Sequence, residues 1–195
     1  MKYNLSEIVE LIKERRTIFP EQYSARKVQR EIIENLLNSA IWAPTHGKTQ
    51  PWRFKVLIGN ATLQLADLQQ EYYKQMTPEE QFSQAKYDRF RNRAERTSAI
   101  IVLGMKRQEE ATIPESEEIM ATACAAQNLM LHAAAYGIGT FWSSGKLTTT
   151  SAAKKFMGLE EKDQVLGFIY LGYPNGEWPK SHRKPIEYVT TWEGE

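Results

Sequence analysis

The sequence predicts a layered domain mixing helices and strands, of the α/β or α+β class. Three observations carry this. Long stretches repeat their apolar residues at helical spacing, while several short runs read as strands. The two kinds of segment alternate irregularly along the chain. No repeat, low-complexity tract or Pro/Gly/Ser-rich linker divides it, so one domain over residues 1–195 is expected.

Leu5, Ile8, Val9 and Ile12 give residues 5–15 a helix with one apolar face. Asn4 and Glu7 resemble a capping box at its start. A second helix covers 28–41, with Val28, Ile32, Leu36, Leu37 and Ala40 inward, and Pro44 stops it. Residues 43–52 form a turn-rich loop stiffened by Pro44 and Pro51. Residues 52–58 then alternate as a half-buried strand. Helical spacing returns over 61–75. Pro78 resembles a first helical position, and the charged stretch 79–96 is expected as a solvated helix or a mobile lid. The apolar run 99–104 reads as a strand buried on both faces. Residues 116–136 leave almost no polar face, which places that helix centrally or at an interface, with Gly137 closing it. A short strand over 138–142, a short helix ending at Gly158 and a buried strand over 165–172 complete the pattern.

The chain has 195 residues, 42% of them hydrophobic, enough for a substantial core. Its 25 basic and 24 acidic residues leave a formal charge of +1, so charge makes no case for nucleic acid or a membrane as the main partner. A single cysteine, Cys124, allows no intrachain disulfide and suits a reducing compartment. Its alanine-rich surroundings predict a buried, inert thiol. Met1-Lys2-Tyr3-Asn4 leads into an acidic amphipathic segment rather than a signal peptide, and no apolar run is long enough to span a bilayer. A cytoplasmic location is expected.

Several groups could carry chemistry. Arg15-Arg16-Thr17 at a helix end suits a phosphate, or a charge pairing at a helix C-terminus. Thr45-His46-Gly47-Lys48 could position an anionic or carbonyl-rich ligand, or be a solvated loop. The basic turn around Arg183 could be a second phosphate clamp or simply solvated. Gly137-Ile138-Gly139 closes a helix and opens a strand, the reverse of a Rossmann fingerprint. No histidine pair has zinc-ligand spacing, and Ser143-Ser144-Gly145 is not a nucleophile elbow. The residues alone point to a phosphorylated, mostly planar ligand whose own chemistry does the work.

The ordered set is more specific than its parts. Arg15-Arg16-Thr17 resembles the R-R-S of the nitroreductase family. Ala43-Pro44-Thr45, continued by Gln50-Pro51-Trp52, resembles that family's A-P-S-x-x-N-x-Q-P-W loop, with His46 as in a short subgroup carrying A-P-D-H. Gly137-Ile138-Gly139-Thr140-x-Trp142, the run from Gly167 to Pro174 and Arg183-Lys184-Pro185 are similar to later family motifs. Lys48 stands where the family usually has Asn, and Thr17 replaces Ser.

The resemblance implies an α+β three-layer sandwich with a central mixed sheet flanked by helices. It also implies a homodimer with FMN at the subunit interface. Arg15, Arg16, Thr17 and Arg183 would hold the phosphate end. Pro44, Thr45, His46 and Lys48 would approach the flavin from the partner subunit, and Trp142, Ser143 and Ser144 would lie along it. The implied activity is hydride transfer from NADH or NADPH through flavin N5 to a small acceptor such as a nitroaromatic or quinone, by a ping-pong mechanism. A dehalogenase or oxidase on the same scaffold, or a non-catalytic FMN-binding protein, is the alternative.

Overall fold

The computed structural model describes residues 3–194, so the Met1-Lys2 part of the leader reading lies outside the described residues. The helices are α1 (Leu5–Glu14), α2 (Arg30–Ala40), α3 (Ala61–Met76), α4 (Gln84–Arg96), α5 (Glu115–Ala135) and α6 (Ser151–Met157). The strands are β1 (Trp52–Ile58), β2 (Ala99–Met105), β3 (Gly139–Ser143) and β4 (Gln164–Gly172). They form one sheet in the order β1-β2-β4-β3.

Every pairing between these strands is antiparallel, whereas the resemblance implied a mixed sheet. A parallel bridge, Thr17 to Thr140, joins the segment after α1 to β3. The connections explain the directions. The α3–α4 hairpin returns the chain to the end where β1 stopped, so β2 runs back along it. The single helix α5 crosses the sheet instead, which leaves β2 and β3 pointing the same way with β4 between them.

One face of the sheet packs Ile101, Leu103, Ile169 and Leu171 against α2 and α5. The opposite face packs Ile100, Val102, Phe168 and Tyr170 with Leu65 of α3, Ala153 of α6 and Ile18. The sheet is thus covered by helices on both sides, in three layers. The alternation along β2 explains its continuous apolar run, since both of its faces are core.

A bulge shapes the strand beside β3. The β2–β4 register passes from Leu103↔Gly167 to Gly104↔Val165, leaving Leu166 as the extra residue. Leu166 O accepts the Trp142 indole N–H at 3.1 Å. Gly167 has φ 151°, and a Cβ there would lie 2.1 Å from Trp142 Nε1. Gly167→Ala is therefore expected to displace the indole and cost about 1–3 kcal/mol of stability, the usual range for overpacking. Urea unfolding with tryptophan fluorescence checks both effects.

Four expectations about local structure change. The Asn4 side chain accepts from the Ser6 amide at 3.2 Å and the Ser6 hydroxyl at 2.7 Å, so Ser6 takes the cap and no Glu7 capping box forms. Pro78 leads only into a one-turn 3-10 helix, Glu79–Gln81. α4 starts later because Ser83 Oγ caps Lys86 N, while Tyr73 Oη accepts from Ser83 N. α4 packs on α3, with Phe82 and Phe90 against Tyr73 and Gln70 Nε2 donating to Tyr87 O. Cys124 is exposed rather than buried, because it lies on the face of α5 turned away from the sheet, with Met120. The apolar face of α1 is likewise exposed: Leu5 57%, Ile8 43%, Val9 46% and Ile12 55%.

Candidate functional site

The cationic end of the site is built by the segment leaving α1. Ile18 N donates to Thr140 O at 3.0 Å, laying this segment along β3. Gly139 permits the approach, since a Cβ there would meet Ile18 Cβ at 2.7 Å. Arg15 and Arg16 are thereby half-buried at the start of β3, with Thr17 exposed. Trp178 Nε1 donates to Glu14 O at 2.6 Å and ties the C-terminal tail to the end of α1. A cavity of about 600 Å³ lies between Leu11, Glu14 and Arg16 on one side and Trp178–Ser181 on the other.

The electrostatics of this end are unusual. Arg15 is held below its ordinary pKa by burial first, then by the neighbouring charges of Arg16 and Arg183. Among the described residues, none of the three arginines forms an ion pair. Arg16 Nη1 donates to Lys13 O and to Arg15 O, the latter at 2.7 Å, while its Nε is buried without a hydrogen-bond partner. Arg183 Nη1 donates to Ser181 Oγ and His182 O, both at 3.0 Å. Three cations gathered without an ion-pair partner among the described residues, one with an orphaned buried N–H, are an arrangement suited to an anion.

At the end of β3, Trp142 packs on the α2–α5 face of the sheet and Ser143 lines a cavity on the opposite face, and Ser144 follows, exposed. The length of β3 separates the arginine end from Ser143 by about 13 Å at about 3.3 Å per residue. An elongated ligand with an anionic tail fits that span.

The 43–52 loop is elsewhere. It contains a one-turn helix, His46–Lys48, and runs into β1. β1 and the Arg15–Thr17 segment lie at opposite edges of the sheet, four inter-strand steps apart, or about 19 Å at about 4.8 Å each. One chain therefore does not bring all the expected residues together. Pro44, His46 and Lys48 are exposed, and Thr45 Oγ1 lies 3.1 Å from Thr49 Oγ1 and accepts from Gln50 N at 3.2 Å. His46 Nδ1 meets Glu117 Oε2 at 2.6 Å.

The loop is strained. Gly47, Lys48 and Gln50 have φ 57°, 55° and 45°. A left-handed conformation costs a non-glycine residue about 1–2 kcal/mol, and Asn tolerates it better than Lys. Position 48 is thus one where Asn would be the easier residue, yet this chain keeps a lysine there. Strain of this kind collects at ligand clamps.

Sequence reasoning missed Glu117 as the partner of His46, because 71 residues separate them. It also missed Lys86 and Lys146, which line a second cavity with Ser143.

The fold and these residues can be set beside known proteins. The nitroreductase family model matches residues 12–173. The chain belongs to the nitroreductase family. YdjA of Escherichia coli (strain K12), a candidate NAD(P)H nitroreductase, is 32% identical over 145 residues, 74% of this chain and 76% of YdjA. A nitroreductase-like protein from Bacillus cereus superimposes with TM-score 0.82 at 30% identity, over 100% of this chain and 99% of that one. A candidate nitroreductase from Desulfovibrio desulfuricans, crystallised in complex with FMN, superimposes with TM-score 0.74 at 23% identity, over 99% of each chain. The family match spans Arg15 to Ser144 and stops short of Arg183. Among the described residues, no His/Cys/Asp/Glu cluster could hold a metal ion, and no helix is long and apolar enough to cross a membrane.

Proposed function

We propose that this nitroreductase-family chain is a single-domain, cytoplasmic, FMN-dependent oxidoreductase acting as a homodimer. It carries two electrons from NADH or NADPH to a small acceptor such as a nitroaromatic or quinone, by a ping-pong mechanism. The observation that carries this reading is the cluster of Arg15, Arg16 and Arg183, none of them in an ion pair among the described residues, with its unpartnered Arg16 Nε. A dianionic phosphate monoester supplies the missing charge and acceptors.

Arg15, Arg16, Thr17 and Arg183 would hold the phosphate. Trp142, Ser143 and Ser144 would flank the rest of the cofactor along β3. When bound, FMN supplies reversible two-electron chemistry, taking a hydride from the nicotinamide and passing it to the acceptor. The chain's share is positioning and charge. Trp142, locked by its bond to Leu166 O, offers a fixed wall. A guanidinium of the 15–16 pair or the Lys48 ammonium would stabilise negative charge on the reduced ring, an effect of a few kcal/mol where such a group is preorganised. No side chain need act as a general base.

The homodimer reading rests on two features. The loop carrying Pro44, Thr45, His46 and Lys48 is too far from the arginine cluster to serve the same ligand within one chain, so a second copy would supply it. The surface beside this loop and along α1 is apolar and exposed: Trp42 is 85% exposed, beside Ile41 at 47%. Exposed apolar surface of this kind is typical of an interface.

Anaerobic stopped-flow mixing tests the function. The purified protein is expected to be yellow, to bleach with NADH or NADPH, and to recolour with a nitroaromatic or quinone. Bleaching by neither nucleotide would leave a non-catalytic FMN-binding protein. Recolouring by oxygen alone would point to an oxidase.

A further inference from the structure

His46 Nδ1 and Glu117 Oε2 lie 2.6 Å apart, with side chains 63% and 38% exposed. Exposed pairs are usually worth little, because holding two side chains in one geometry costs entropy. This pair is anchored at both ends. Glu117 stands in the first turn of α5, between Glu115, which accepts from Gln164 Nε2, and Glu118, which pairs with Arg107. His46 opens the one-turn helix whose Gly47 sits against Ile113 and whose Lys48 keeps a left-handed backbone. Groups held this way have less freedom left to lose when they meet.

The contact also fixes where the ring carries its proton. An ionised carboxylate only accepts, so the proton sits on Nδ1 whether the imidazole is neutral or charged. Nε2 is the nitrogen left over, and among the described residues it has no hydrogen-bond partner. The pair stands at the rim of an exposed apolar surface. Glu117, Met120 and Cys124 recur at three- and four-residue spacing and so share the face of α5 turned away from the sheet, where Met120 is 57% exposed. Trp42, exposed, precedes the loop. This is surface that a second copy of the chain would cover, at the loop that cannot reach its own arginine cluster.

We propose that Glu117 is a positioning residue for the flavin of the partner subunit: it fixes the His46 ring with its proton on Nδ1, so that Nε2 is presented to that cofactor. That Nε2 meets a flavin rests on the function proposed above; that Glu117 sets the ring's proton does not. Glu117 itself touches no cofactor and acts only through the imidazole, which makes its contribution separable from that of any other acid in the first turn of α5.

The test is a double-mutant cycle on FMN affinity, read by flavin fluorescence, with nitrogen NMR of His46 in the cofactor-loaded protein. Glu117→Ala is expected to weaken FMN binding about 3- to 10-fold, the worth of one hydrogen bond. Glu117→Gln keeps an acceptor for Nδ1–H and should recover most of that loss. The double variant His46→Ala/Glu117→Ala should lose no more than His46→Ala alone, because the carboxylate works through the ring. The wild-type ring should carry its proton on Nδ1, and Glu117→Ala should lose that preference. Unchanged affinity in Glu117→Ala, or a wild-type neutral ring protonated on Nε2, overturns the proposal. So do additive losses in the double variant, which would assign Glu117 to the charge at the start of α5. A wild type that binds no FMN would overturn the proposed function and this role with it, whereas a flavin-binding wild type with an uncoupled pair would overturn this role alone.

Discussion

Glu118→Ala is expected to remove about 3–5 kcal/mol of stability, the cost of leaving a buried charge without its partner. The Glu118 side chain is 1% exposed and that of Arg107 14%. One carboxylate oxygen takes Arg107 Nη1, and the other accepts from Gln108 N at 3.3 Å. The same guanidinium nitrogen donates to Ile113 O at 2.7 Å, and Asp163 Oδ1 accepts from Arg107 N at 2.9 Å. These bonds fold residues 106–114 onto the start of α5. For a chain of this size the melting temperature should fall by about 6–20 °C. The double replacement Arg107→Met/Glu118→Met should recover most of the loss, since an apolar pair leaves no charge stranded. A fall of less than about 1 kcal/mol in Glu118→Ala, by thermal unfolding in circular dichroism, would falsify the assignment.

The same pair reaches the site. Ile113 packs beneath Gly47, where a Cβ would lie 2.7 Å from Ile113 Cδ1, and Glu117, one residue before Glu118, holds His46. The strained 46–50 loop is therefore braced by the segment that Arg107 and Glu118 fold. Glu118→Ala should loosen the loop as well as the core, and loop strain of about 1–2 kcal/mol per residue would then relax.

Arg15→Ala is expected to weaken FMN binding by about 1.5–3 kcal/mol, or about 10- to 150-fold, the worth of one charged hydrogen-bonding group. Its effect on the empty protein should have the opposite sign. Burial and the repulsion of Arg16 and Arg183 hold the Arg15 pKa down, so its charge opposes folding when no anion is present. Removing it should leave the unloaded protein as stable or more stable. Flavin fluorescence titration and thermal melts of unloaded protein, taken together, check the pair of signs. Loss of both flavin and fold would mean that Arg15 is structural. Arg16 cannot serve this test, because its Nη1 also satisfies carbonyls at the end of α1.

The sequence made the order and type of the major elements legible apart from α4, whose stretch was left open between a helix and a lid, because the others rest on local patterns. α1, α2 and α3 show theirs in spaced apolar residues, α5 in an almost wholly apolar run, and β2 and β4 in unbroken ones. What local pattern does not encode came out differently. The start of α4 depends on Tyr73 Oη holding Ser83 N, a contact ten residues away. The exposure of Cys124 depends on which face of an apolar helix meets the sheet. The antiparallel sheet follows from how the connections route the chain from one strand to the next, not from any strand's composition.

The site was legible by a different route. Arg183 lies far in sequence from the Arg15-Arg16 pair, and only the resemblance linked them. Their approach in space comes from Gly139, which makes room for Ile18, and from Trp178, which ties down the tail. The loop of Pro44 to Lys48 was visible as a binding loop, but its distance from the arginines was not. Lys86 and Lys146 carry no motif, and only the fold places them in one cavity.

The central claim is that flavin is held in a composite site requiring two copies of the chain. Sedimentation velocity, followed at once by protein and flavin absorbance, tests it most directly on the wild type and on Ile12→Asp, which places a charge on the exposed apolar face of α1. Flavin is expected to sediment with a wild-type dimer, and Ile12→Asp to give a folded, colourless monomer. A monomer of either protein that keeps its flavin would contradict the account.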